Sequence, residues 1–143
     1  MGVRRKARES ALQILFQLEF NDSPAEDVTA GYWLTRRPDM EVRKYGSWLV
    51  DGIVQRRDEI DGIIDGISEH WRLSRMAVVD RNVLRIAVFE FLEEKHIPPA
   101  VIINEALEIA KKYSGDQAAV FINGILDAAQ KQLMKNAKSK DKE

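Results

Sequence analysis

The chain has 143 residues, 22 Lys and Arg against 23 Asp and Glu, a formal net charge of −1 and no cysteine. That length supports one domain with its own core, because folding buries about 70% of the surface that an unfolded chain of this size exposes. The lack of cysteine excludes disulfides and thiolate chemistry, and the near-zero charge excludes a surface that is basic all over, so any nucleic-acid contact must be local.

The first predicted element is RRKARESALQILFQLEF. Arg4, Arg5, Lys6 and Arg8 are opposed nearby only by Glu9, and they lead into a helix with the apolar stripe Ala7, Ala11, Ile14, Leu15 and Leu18. A basic start followed by apolar residues superficially resembles a signal peptide. Gln13, Gln17 and Glu19 interrupt the apolar part, however, and no convincing small-residue cleavage site follows. Asp22-Ser23-Pro24 ends this helix, with Ser23 a candidate N-cap for the next and Pro24 at its first position. Pro38-Asp39 separates the second helix from a third, striped by Val42, Tyr45, Leu49, Gly52 and Ile53. Arg57-Asp58 is a break or a bend; periodicity leaves both open.

Ile60, Ile63, Ile64, Ile67 and Trp71 form the cleanest stripe. The acids between them (Asp58, Glu59, Asp61, Asp65) read as a solvated face, and Gly62 with Gly66 as a site of close helix packing. Trp71 reads as largely core. Residues about 72–78 look like a joint between two sub-bundles. Val83 to Leu92 is apolar nearly all round, as in a helix at a bundle's centre. Its two charges, Arg85 and Glu90, are expected to satisfy each other or a neighbour such as Glu105. Pro98-Pro99 forces a fresh helix start, striped by Ile102, Ala106, Ile109, Ala110 and Tyr113. Ser114-Gly115-Asp116 supplies a C-cap glycine and the next start, and Phe121, Gly124, Ile125 and Ala128 stripe the last helix. The basic run from Lys135 to Lys142 reads as a solvated, frayed tail.

The pattern is all-α, with about six or seven helices and no alternating strand pattern. Residues 1–134 form a single helical domain with sub-bundles of about 1–72 and 73–134, and 135–143 a disordered basic tail. No run of about 20 apolar residues exists, so no membrane span is expected.

At about 100° per residue, Arg4, Arg5 and Arg8 line one border of the core stripe, and Phe16 continues their line. Single-stranded RNA needs cations for its phosphates and flat groups for its unstacked bases, and this row offers both. Arginines at a helix N-terminus also work against the helix dipole, which favours a functional reason for them. The alternative is a solvated basic end with Phe16 in the core. Catalytic equipment is sparse. His70 and His96 are the only histidines and lie far apart, which disfavours a metal site. No phosphate loop, nucleophile elbow or dinucleotide fingerprint occurs. An enzyme is not expected, and no cofactor is.

The basic start, VVDRNVLRIAVFEFL, IPPAVIINEALEIAKKYSGD and FINGILD together resemble the NusB family of bacterial transcription antitermination factors. The resemblance covers residues 3–134 in order and spacing; from Asn21 to Met40 only the helical pattern agrees. It implies two small perpendicular helical bundles, and the lack of cysteine fits a cytoplasmic protein. The resemblance also implies binding to boxA-type leader RNA together with NusE, a ribosomal small-subunit protein, within the RNA polymerase antitermination complex that promotes ribosomal RNA synthesis. Arg4, Arg5, Lys6 and Arg8 match the family's arginine-rich motif, and Phe16 an aromatic position beside it. Asp80, Arg81 and Phe121 fall where the second bundle approaches RNA, Asp80 having the alternative role of an N-cap. Gln117 stands where some members carry an acid that modulates RNA or NusE affinity. Trp71, Phe89 and Glu93 are candidates for the NusE face. Two other readings are a homodimeric structural module with a masked RNA face, and an RNA-positioning domain like those fused to ribosomal RNA methyltransferases. The absence of any cofactor fold in the sequence argues against the latter.

Overall fold

The computed structural model describes residues 2–68 and 71–141, the last four as backbone only. His70 and the end of the basic tail lie outside the described residues. The helices are α1 (Val3–Glu19), α2 (Ala25–Leu34), α3 (Met40–Gln55), α4 (Arg57–Ile67), α5 (Val78–Glu93), α6 (Pro99–Tyr113) and α7 (Asp116–Asp141), with a 3-10 turn at Leu73–Arg75. No strand occurs among the described residues, and no described helix is long and apolar enough to cross a membrane.

Contacts divide the chain into Met1–Arg57 and Asp58–Glu143. In the first unit α1 packs chiefly on α3, and α2 touches both. Gly46 permits the close approach: a Cβ there would lie 3.1 Å from the Trp33 ring and 3.3 Å from the Ala7 carbonyl oxygen. Trp33 Nε1 donates to Ser47 Oγ at 3.0 Å, and the Tyr32 hydroxyl donates to Gln13 Oε1 at 2.8 Å. Polar side chains thus fix the register of helices that apolar burial alone would let slide. α2 starts one residue later than expected. Pro24 is its N-cap and Ala25 its first residue, while Ser23 is held outside by its own N–H bonding to Asn21 Oδ1 at 2.9 Å.

Arg56 breaks the chain before α4, which settles the choice between break and bend. The sub-bundle boundary expected near 72 differs from the division of contacts, which places α4 with the second unit. Two of its carboxylates account for this. Asp61 forms a two-pronged pair with Arg85 of α5, Nε to Oδ1 at 2.8 Å and Nη2 to Oδ2 at 3.0 Å. Asp65 Oδ1 accepts the Leu73 N–H at 2.7 Å. These acids are therefore structural, not merely a solvated face. Arg85 also donates from Nη1 to Asn82 Oδ1 at 2.9 Å, so Asp61 and Asn82 are partners that the sequence does not single out for it. Gly62 and Gly66 are exposed, and a Cβ at either would meet nothing within 4 Å, so they do not mark close packing. Trp71 is 56% exposed rather than core.

Every residue from Asn82 to Glu90 is buried, and α5 packs against both α6 and α7, as an all-round apolar helix must. Pro98 caps α6 and Pro99 is its first residue. Gly115, at φ +106°, supplies the left-handed turn into α7, and its N–H bonds back to the Ala110 carbonyl. In α7 the buried face is Ala119, Ile122, Ile125, Leu126 and Ala129, one residue round from the expected stripe. Both registers have helical spacing; Ile122 and Leu126 bring more apolar volume than Gly124 and Ala128, and that register is buried. The helix continues to Asp141, through residues whose composition predicts a frayed tail.

Candidate nucleic-acid interface

In the first unit the interface begins where α1 begins. Gly2 caps the helix without a side-chain hydrogen bond, and the first turn carries no acid. Arg4 and Lys6 are exposed and Arg5 is half-buried. Arg8 is only 3% exposed. Its place at the edge of the core stripe draws the long stem inward, with the guanidinium 6.0 Å from the Tyr45 ring centroid. This corrects its expected part as a surface phosphate contact. Phe16 is 42% exposed, not core, and its ring meets Phe20 at 5.1 Å. Phe20 is 69% exposed; the four-residue spacing of the two rings is the sequence signal for the pair.

Sequence reasoning also misses a second aromatic pair. Tyr45 and Trp48 of α3 are stacked, with centroids 5.4 Å apart and planes at 29°. The Arg4 guanidinium lies over the Tyr45 ring at 4.0 Å. These groups, with Val3, Glu41 and Lys44, line an open groove of about 450 Å³. In the sequence Tyr45 blends into the apolar stripe of its helix, and a Tyr-x-x-Trp spacing next to Lys44 is the clue.

In the second unit Asp80 lies in the first turn of α5, which Ala77 caps, so Asp80 is not an N-cap. Its Oδ1 accepts the Ser114 hydroxyl at 2.6 Å. This bond brings the start of α5 to the turn between α6 and α7. Gln117 and Phe121 follow that turn, four residues apart on one face of α7; Gln117 is exposed and Phe121 half-buried. Arg81, half-buried, donates from Nη1 to the Met76 carbonyl at 3.5 Å. Glu93 and Trp71 are exposed, but Phe89 is 2% exposed. Phe89 faces the core of the helical layer and cannot form a docking face.

The fold and this surface define an all-helical protein that presents cations and aromatic planes side by side, the equipment of a nucleic-acid-binding module. The NusB family model matches residues 5–131. The transcription antitermination protein NusB of Koribacter versatilis is 43% identical over 140 residues, covering 97% of this chain and 96% of its own. Among solved structures, NusB of T. maritima superposes with a TM-score of 0.83 at 40% identity over 90% of each chain. A crystal structure of the antitermination factors NusB and NusE in complex with double-stranded RNA matches with a TM-score of 0.83 at 28% identity, over 92% of this chain and 98% of that one. The chain belongs to the NusB family.

Proposed function

We propose that this chain is a cytoplasmic antitermination factor that binds boxA-type leader RNA together with NusE, within the RNA polymerase complex that sustains ribosomal RNA synthesis. Its role is binding rather than catalysis. The observation that carries this reading is the cation-and-aromatic surface at the start of α1 in a chain of NusB fold. A similar fold assembled with NusE and RNA in a solved complex supports the choice of partners.

Arg4, Arg5 and Lys6 hold phosphates, and Phe16, with Phe20 beside it, offers a stacking plane. In the second unit Arg81, Asp80, Gln117 and Phe121 supply polar and aromatic contacts around the junction of α5 with the α6–α7 turn. Gln117 can donate and accept hydrogen bonds but carries no charge, so it repels neither phosphate nor an acidic partner. Trp71 and Glu93 are the residues of the proposed NusE face that remain accessible.

The test is a gel-shift titration of a boxA-type RNA with the full chain, with and without NusE, against a scrambled RNA and a duplex of the same sequence. Selective binding that NusE strengthens is expected. Equal binding to the scrambled RNA, or none even with NusE, overturns the reading and favours a homodimeric helical module.

A further inference from the structure

We propose that α3 extends the RNA surface beyond α1, with the Trp48 indole taking one unpaired base and Arg4 and Lys44 taking the phosphates beside it. This rests on the RNA-binding reading above and names a contact within it.

The geometry is that of a preformed platform. Trp48 is 38% exposed although it stacks on Tyr45, and Arg4 lies over the Tyr45 ring. Tyr45 is thus held by a cation and an indole at once. An aromatic plane that is already fixed loses little side-chain freedom when a ligand lands on it. The groove that Trp48 lines holds about 450 Å³, within the roughly 300–1,000 Å³ typical of small-ligand clefts.

Charge selects the occupant. Arg4 and Lys44 stand on the rim against one carboxylate, Glu41, so the groove favours an anion. Glu41 disfavours a phosphate at its own position and leaves an acceptor for a base amino group or a ribose hydroxyl. A flat ring, a cation pair and an acceptor together fit a single-stranded nucleotide. They do not fit a duplex, whose bases are already stacked on one another.

The test compares wild type, Trp48→Ala, Trp48→Phe and Lys44→Ala for affinity to a boxA-type single strand and to its duplex, by fluorescence anisotropy with folding checked by circular dichroism. Trp48→Ala should bind the single strand at least about fivefold more weakly, the low end of one stacked base. Trp48→Phe should stay near wild type, and the duplex should not distinguish Trp48→Ala from wild type. Lys44→Ala should flatten the salt dependence by about one phosphate. Wild-type protein that binds selectively while Trp48→Ala binds equally well overturns the platform. Wild-type protein that binds no RNA overturns the parent reading instead. Should Trp48→Ala unfold, a Trp71→Phe protein leaves emission from buried Trp33 and from Trp48. Quenching by the single strand supports the platform, and unchanged emission under saturating RNA overturns it.

Discussion

Arg4 and Arg8 lie one helical turn apart and have different fates. Arg4 is exposed over an aromatic ring, while Arg8 is buried with its neighbour Glu9. Replacing Arg4, Arg5 and Lys6 by alanine should leave the melting temperature nearly unchanged. It should flatten the plot of log affinity against log salt by about 0.7 for each phosphate of a single strand that is no longer neutralised. Arg8→Ala should do the reverse, lowering stability by about 1–3 kcal/mol in chemical denaturation as a long buried side chain loses its packing. The Asp61–Arg85 pair is a sharper case. Arg85 has a side-chain exposure of 6% and Asp61 of 22%, so Asp61→Ala takes the two-pronged carboxylate away from a buried guanidinium and should cost about 3 kcal/mol. The order of residues reveals that Arg85 needs a partner but not which carboxylate. Asp61 sits in the same alternating pattern as the exposed Asp58, and only tertiary packing separates the two.

At the level of the helix, glycine has opposite meanings at two places. Gly46 lets α1 and α3 approach, so Gly46→Ala should destabilise by about 1–3 kcal/mol through overpacking against Trp33 and the Ala7 carbonyl. Gly62 and Gly66 face open space, so alanine at either should stabilise by up to about 1 kcal/mol. Thermal melts of the three single variants would show one falling and two rising; a stabilised Gly46→Ala would mean that the close approach is not tight. The helices themselves are legible in the sequence, because prolines, Gly115 and three-and-four spacing mark them directly. Finer placement is not. Two overlapping stripes in α7 satisfy the same period, and relative burial volume chooses between them. The start of α2 turns on an Asn21 side chain, which periodicity does not sense.

For the molecule as a whole, net charge near zero makes location decisive. A few exposed cations at one helix end must act against a background that is slightly acidic, so RNA binding should depend on geometry as much as on charge. The arginine-rich end of the site is readable because those residues are contiguous. The Tyr45–Trp48 pair is not, since it meets Arg4 only after α1 and α3 pack, and aromatic residues at helical spacing read as core. Light scattering is expected to give a monomer mass that rises by one NusE on mixing. A dimer that persists in the presence of NusE would count against an accessible RNA surface.

The first turn of α1 has neither a side-chain cap nor an acidic residue, yet it carries the cations. The first amides of a helix have no carbonyl of their own helix to bond. An anion arriving there supplies the negative charge that a helix N-terminus favours. Amide hydrogen exchange should therefore be fast at Val3 to Arg5 in the free protein and slow once RNA is bound, while the amides of buried Ala7, Leu12 and Ile14 stay protected throughout.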